Sequence, residues 1–244
     1  MPVPVALITG GSAGLGRALA GTLAERGWKL ILDARGAAQL HTTAAQLGPN
    51  VIAVPGDVTD PDHRSALLRA ATEAGRLDLL VNNASTLGPS PLPALAGFPL
   101  PELVEIYRVN TVAPLALIQL LLPLLAARGD GGQGTIVNVS SDAAVEAYPG
   151  WGGYGSAKAA LDQLTAVLGA ELDQSHPDLR VYGFDPGDLR TAMHQRAFPG
   201  EDISDRPEPA SAVPAMLRLL DERPPSGRYR AAELTASTDV TADA

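Results

Sequence analysis

Val5-Ala6-Leu7-Ile8-Thr9-Gly10-Gly11-Ser12-Ala13-Gly14-Leu15-Gly16 is a short apolar run that turns through glycines into a helical pattern. Val5–Ile8 is apolar without alternation, as expected for a strand covered on both faces. Glycines at 10, 14 and 16 permit a tight turn, close approach of a pyrophosphate to main-chain N–H groups, and close packing of helix on strand. A glycine cluster by itself is weak evidence, since any tight turn uses one. Its place between the first strand and the first helix is what points to a dinucleotide site. Three residues separate Gly10 from Gly14, which departs from the common G-x-G-x-x-G spacing.

Outward from this unit the same alternation repeats. Apolar runs at Val5–Thr9, Leu30–Ala34, Val51–Pro55, Leu77–Asn82, Thr135–Ser140 and Val181–Asp185 read as strands, with a weaker seventh near Arg228–Ala231. Helical patterns fall between them at Gly14–Arg26, Ala37–Leu47, Pro61–Ala74, Glu102–Arg128, Tyr154–Gln174 and Glu208–Asp221. Strand and helix in alternation imply an α/β fold, a doubly wound parallel sheet of about seven strands with helices on both faces. Ligands in such sheets bind beyond the carboxyl ends of the strands. Residues 1–234 read as one domain, and 235–244 as a small, polar tail. Ser85–Pro101 and Asp188–Pro209 interrupt the pattern with proline and glycine; the first is expected as a loop at the mouth of the site, the second (188–209) as a covering segment.

Composition narrows the function. The 244 residues contain 45% hydrophobic and 18% charged residues, enough for a sizeable core. The absence of cysteine excludes disulfides, iron–sulfur clusters, thiolate zinc sites and a cysteine nucleophile. His41, His63, His176 and His194 lack metal-ligand spacing, so no metal is expected. His41, His63 and His176 are expected to face solvent, while His194 falls in the covering segment. A net charge of −9 argues against nucleic acid and acidic membrane surfaces as partners. No basic, apolar leader precedes the first strand, which reads as a cytoplasmic protein. Val109–Ala127 has nearly the length of a membrane span but carries Asn110, Thr111, Gln119, Pro114 and Pro123, and reads as a buried helix. A helix apolar nearly all round needs cover on two sides. The sheet supplies one, and a second subunit is expected to supply the other, in a homodimer or homotetramer joined through Glu102–Arg128 and Tyr154–Gln174.

Tyr154-Gly155-Ser156-Ala157-Lys158 opens a helical stretch, so Tyr154 and Lys158 share one face. A phenol ionises near pH 10, and a neighbouring ammonium is expected to bring it towards neutrality. A Tyr–Lys pair at this spacing is common on helix surfaces. The chain, however, has 18 basic residues and only two lysines, Lys29 and Lys158, so a generic cation here would have been arginine.

With Thr9-Gly10-x-x-x-Gly14-x-Gly16 and Tyr154-x-x-x-Lys158, the sequence resembles the classical short-chain dehydrogenase/reductase family from Val5 to about Thr191. Asp57-Val58 resembles the family's adenine contact, Asn82-Asn83-Ala84-Ser85 its NNAG element with serine in place of glycine, and Pro186-Gly187 with Thr191 its PGxxxT segment. The usual glycine-rich C-terminal ending is missing. The resemblance implies a Rossmann-type sheet and a nicotinamide cofactor held by Gly10, Ser12, Gly14, Leu15, Gly16, Asp57, Val58, Asn83, Ala84, Tyr154, Lys158, Pro186, Gly187 and Thr191. It implies Ser141, thirteen residues before the tyrosine, as the catalytic serine, and Asn110 as the fourth member of a tetrad with Tyr154 and Lys158. Pro114 lacks an N–H and leaves the Asn110 carbonyl unbonded, so the helix is expected to bend there. That carbonyl could hold a water connecting Lys158 to solvent.

The end of the second strand, Leu32-Asp33-Ala34-Arg35, bears on cofactor choice. A carboxylate at the discriminating position holds ribose hydroxyls and selects NAD(H), whereas a nearby arginine favours the 2′-phosphate of NADP(H). The resemblance puts the discriminating position at Ala34 with Arg35 next, and Asp33 on the other face, which favours NADP(H). A register one residue different would put Asp33 on the ribose and select NAD(H). Arg35 could also be a solvated loop cation. The expected activity is hydride transfer between NADP(H) and a carbonyl or secondary alcohol of a small, partly apolar substrate, as in a ketoreductase. Leu87–Leu92, Ala143–Trp151 and Asp188–Pro199 are expected to line its pocket. The alternatives are a catalytically silent cofactor-binding regulatory or scaffolding protein, and a redox-neutral epimerase or dehydratase on the same scaffold.

Overall fold

In the computed structural model, which describes residues 2–126 and 134–236, the first strand, β1 (Val5–Ile8), lies inside a parallel sheet, next to its central strand. The others are β2 (Lys29–Ala34), β3 (Val51–Pro55), β4 (Leu79–Asn82), β5 (Thr135–Val139), β6 (Arg180–Asp185) and β7 (Gly227–Arg230). Their order is β3-β2-β1-β4-β5-β6-β7. The chain therefore winds outward from β1 in one direction through β2 and β3, then returns to β4 and winds the other way. That reversal opens a crevice at the carboxyl ends of β1 and β4, where doubly wound sheets take their ligands.

Alternation within each strand supplies both helical layers. Ala6 and Ile8 face one side with Leu30, Leu32, Val81 and Phe184, and pack on α1 (Gly14–Glu25), α2 (Ala37–Leu47) and α8 (Val213–Glu222). Val5 and Leu7 face the other with Ile31, Leu80, Ile136 and Val181, and pack on α3 (Pro61–Glu73), α5 (Ala113–Ala126) and α6 (Gly152–Ser175). Successive side chains on a strand point oppositely, so a continuous apolar run satisfies both layers at once.

The long apolar helical stretch is more elaborate than its sequence suggested. It begins as α4 (Leu100–Tyr107), widens to a π-helical turn over Arg108–Val112, and continues as α5. Its last two expected residues, 127 and 128, lie outside the described residues. Ala113, Leu117, Leu121 and Leu125, four apart, form the stripe that meets the sheet. By length and hydropathy Leu100–Ala126 would suffice to cross a membrane, yet 44% of its most apolar stretch is buried within the fold.

Elsewhere the element ends shift. Residues 188–209 contain a short helix, α7 (Ala192–Ala197), because Thr191 caps it by accepting the His194 N–H at 3.1 Å. The expected helix at Glu208 starts as a 3₁₀ turn, Pro209–Ala212, before α8. Ala231 leaves the seventh strand and opens α9 (Ala231–Ala236), so the expected tail begins inside a helix; residues 237–244 lie outside the described residues.

Candidate active site

The glycine turn after β1 is built around two main-chain approaches. Gly10 and Gly14 have φ of +66° and +53°, the left-handed region that glycine occupies without strain. A Cβ on Gly16 would lie 2.6 Å from the Gly10 carbonyl oxygen, so this glycine serves the packing of α1 on the turn. Asn83, at the end of β4, donates from Nδ2 to the Thr9 carbonyl at 2.8 Å and ties the two strand ends together. Helix α1 then starts at Gly14, and the preceding Ala13 offers no side-chain cap to the first N–H groups. An uncapped helix N-terminus facing a cavity suits an anionic group, and this part of the turn fits a dinucleotide pyrophosphate.

The cavity has a volume of about 590 Å³. Gly10, Gly14, Leu15, Asn83, Ala84, Ser141, Tyr154, Lys158, Pro186, Gly187 and Thr191 all line it, so the structure brings most of the sequence-derived site residues to one wall. Ser12, Gly16, Arg35, Asp57, Val58 and Asn110 are not on that wall. Ser12 is buried, its carbonyl accepting from Thr43. Asp57 and Val58 follow β3, where Asp57 accepts the Thr59 N–H at 2.8 Å and the Thr59 hydroxyl at 2.7 Å. Arg35 is exposed at the end of β2 and lowers the Asp57 carboxyl electrostatically, after the Thr59 bonds and against the opposing effect of burial.

Asp33 settles the register at β2. Its side chain is only 1% exposed and both oxygens are engaged: Oδ1 accepts the Gly10 N–H at 2.9 Å, and Oδ2 lies 2.9 Å from His63 Nε2. Asp33 pairs with Val54 of β3, and Ala34 with Pro55. Burial raises the Asp33 carboxyl, against the bonds from His63 and Gly10. His63 corrects the expectation of a solvent-facing residue. Its side chain is 6% exposed and lies against Gly56, where a Cβ would sit 2.1 Å from Nδ1. Sequence reasoning missed this pair; its signal was an aspartate inside an apolar strand with a glycine opposite the histidine. His41 is exposed, whereas His176 is half-buried beside the Ser175 hydroxyl.

Helix α6 carries Tyr154 and Lys158 into the cavity wall, 8% and 2% exposed. Lys158 donates from Nζ to the Val139 carbonyl at 2.7 Å and stands 5.6 Å from the centre of the Tyr154 ring. Burial lowers the Lys158 ammonium to about 8, against the attraction of Asp162. The tyrosine differs from expectation. Burial pushes its phenol well above the usual value, and the opposing effects come from the Ser141 and Ser85 hydroxyls; Asp142 and Asp185 push it further up. The Lys158 ammonium is directed to the Val139 main-chain carbonyl.

Ser141 lies two residues beyond β5, donates to Asp142 Oδ1 at 3.0 Å and accepts the Ala143 N–H at 3.2 Å. Its own carbonyl accepts from Arg228 of β7 at 2.9 Å. Asn110 sits in the π turn below the wall. Its Oδ1 accepts the Thr86 N–H and its Nδ2 donates to the Thr86 carbonyl, both at 2.8 Å. Leu87, Ala143, Tyr148, Trp151, Met193 and Phe198 form the apolar side of the cavity. Of the stretches expected to line it, 88–92, 144–147, 149–150, 190, 195–196 and 199 do not reach the cavity. His194 does, with its ring 4.9 Å from that of Phe198, and exposed Asp188 lies 3.8 Å from its Nδ1.

The geometry meets the known proteins at this point. The short chain dehydrogenase family pattern matches residues 4–202, and the chain belongs to that family. It is 38% identical to a sepiapterin reductase of Xenopus laevis over 205 residues, covering 78% of this chain and 75% of that protein. A short chain dehydrogenase of Shigella flexneri solved with NADP superposes with a TM-score of 0.85 at 29% identity, over 94% of this chain and 97% of the other. A 3-ketoacyl-(acyl-carrier-protein) reductase of Brucella melitensis solved with NADH gives 0.84 at 25% identity, over 93% and 96%.

Proposed function

We propose that the protein is an NADP(H)-dependent oxidoreductase that interconverts a carbonyl and a secondary alcohol on a small, partly apolar substrate, acting as a ketoreductase. The observation that carries this reading is the convergence of Ser141, Tyr154 and Lys158 on the cavity into which the uncapped α1 N-terminus opens. The turn residues Gly10, Gly14 and Leu15, with Asn83, Ala84, Pro186, Gly187 and Thr191, would hold the cofactor, and Asp57 and Val58 its adenine side. When bound, the cofactor supplies or accepts the hydride.

The chain's own groups do the rest. Ser141 turns its hydroxyl from Asp142 to the substrate oxygen and stabilises the charge that grows there. Tyr154 gives its proton to that oxygen in the reductive direction. Lys158 supports the resulting phenolate by its charge, and bonds ribose hydroxyls with its remaining donors. Asn110 fixes the loop after β4 through Thr86. The NADP(H) preference is supported by Asp33, whose carboxylate is turned beneath the glycine turn and held by Gly10 and His63. No carboxylate then faces the ribose at Ala34, and Arg35 is available to a 2′-phosphate.

Calorimetric titration with NADPH and NADH tests the reading. NADPH is expected to bind at least about tenfold more tightly, about 1.4 kcal/mol. Tighter NADH would overturn the cofactor assignment, and binding of neither would overturn the oxidoreductase.

A further inference from the structure

The wall of the active-site cavity carries a polar atom that the fold leaves unused. Among the described residues, the buried side-chain nitrogens and oxygens without a hydrogen-bond partner belong to six residues, and of these only His194 lines the cavity. The atom is Nε2. The His194 side chain is 9% exposed, and three neighbours hold it in place. Thr191 accepts its main-chain N–H at 3.1 Å, the Phe198 ring stands 4.9 Å from its own, and Asp188 Oδ1 lies 3.8 Å from Nδ1. Asp188 is itself steadied by Arg206, with Oδ2 3.8 Å from Nε. Other polar side chains of the wall are already engaged: Ser141 and Tyr148 with Asp142, Ser85 with Asn110, and Lys158 with the Val139 carbonyl. A polar atom buried without a partner costs stability, because the water it lost has not been replaced.

We propose that His194 is a specificity-determining residue whose Nε2 binds a hydroxyl group of the substrate, remote from the reacting carbonyl. The inference rests on the oxidoreductase reading of this cavity. The Asp188 carboxylate beside Nδ1 favours the ring proton on that nitrogen, and Nε2 of the neutral ring is then an acceptor. In the imidazolium both nitrogens donate. A hydroxyl donates and accepts, so it satisfies Nε2 in either form. A carboxylate or phosphate on the substrate would meet Asp142 and Asp188, which line the same cavity, and is disfavoured by their charge. The wall between the two ends is aromatic. Trp151 stands 5.7 Å from the Tyr154 ring and 6.0 Å from that of Phe198, and Phe198 adjoins His194. The substrate is therefore a neutral hydroxy ketone, with an apolar stretch between its carbonyl at Tyr154 and its hydroxyl at His194. His194 takes no part in moving hydride or proton; it holds the far end of the molecule.

Two ketones that differ in a single hydroxyl test this. Para-hydroxymethyl acetophenone and para-methyl acetophenone are each titrated calorimetrically into the full chain saturated with NADP⁺, and each is offered with NADPH for turnover. The hydroxymethyl ketone is expected to bind about tenfold more tightly, since without it a buried polar atom stays unpaired. In His194→Phe, which keeps a ring but no nitrogen, the ratio is expected to fall to about one. His194→Gln, whose amide reaches the place of Nε2, is expected to keep a preference for the hydroxyl. His194→Asn reaches only the place of Nδ1; it is expected to lose the preference and decides the matter should His194→Phe disturb α7. Equal binding of the two ketones by the wild type, binding of neither, or a preference that survives in His194→Phe overturns the role of His194. Tighter binding of para-carboxy acetophenone overturns the hydroxyl in favour of an anion. Oxidation of NADPH by both ketones with no hydroxyl preference overturns His194 alone. A wild type that binds neither NADPH nor NADH overturns the oxidoreductase reading, and with it this proposal.

Discussion

At the scale of single residues the site sets burial against charge, and Lys158 shows the consequence. Its ammonium falls to about 8 in the folded chain, from the ordinary 10.5. Below pH 8 both folded and unfolded chains hold the proton. Between 8 and 10.5 the folded chain releases it while the unfolded chain keeps it, so the unfolded state binds more protons and stability rises with pH. Above about 10 the buried tyrosines reverse the slope, because Tyr154 and Tyr182 stay protonated in the fold after the unfolded phenols have ionised. Urea unfolding should therefore give about 2 kcal/mol more stability near pH 9.5 than near pH 7.5. Lys158→Met should abolish that gain, and an equal gain in the variant would assign it to other groups. The same scale divides what the sequence disclosed from what it withheld. That Tyr154, Lys158 and Ser141 would share one cavity was legible because the family resemblance rests on their spacing along the chain. The Asp33–His63 pair was not, since thirty residues separate its members and only the parallel pairing of β2 with β3 brings the two together.

At the scale of elements, the alternation of apolar runs was enough for the sheet, because residues buried on both faces have no polar positions to confuse the pattern. Pro114 signalled a disturbance after Asn110, but not its form, a π turn over Arg108–Val112 in which Thr86 of another loop holds the Asn110 side chain. Strand β7 was the faintest, since Gly227–Arg230 holds two arginines and owes its place to what they meet. Arg228 bonds Asp162 of α6 and Asp185 of β6, each at 2.9 Å, and the Ser141 carbonyl. It thus joins the edge of the sheet to the helix of Tyr154 and to the end of β5. Burial works against its charge, but the two carboxylates hold the guanidinium above its ordinary value. Arg228→Met leaves those carboxylates without their main partner and should cost about 3 kcal/mol. Adding Asp162→Asn should recover part of the loss, because the stranded charge is then removed. Thermal unfolding of the single and double variants checks this; a double variant less stable than Arg228→Met would refute the account.

Across the whole molecule, the long helical stretch that feeds Asn110 to the site also carries several exposed apolar residues. Leu100, Val104 and Val112 are 71%, 60% and 56% exposed, and α6 adds Val167. Single exposed hydrophobic residues need no explanation. Three on one continuous stretch give a partner apolar surface to cover. Helix α6 packs beside that stretch, with the Thr111 hydroxyl bonded to the Ala157 carbonyl at 2.9 Å, so both elements that support Tyr154 and Lys158 border the same surface. A second copy of the chain covering it would stiffen the site without contributing a residue. The expected assembly is a dimer or tetramer closed through α4, α5 and α6. Val104→Glu combined with Val112→Glu would put two carboxylates from each copy against their equivalents, on a chain already at −9. Light scattering should find the wild type as an oligomer and the double variant as one chain, still binding NADPH but melting at a lower temperature. A wild type that scatters as a single chain would remove the interface and leave the three residues as ordinary surface.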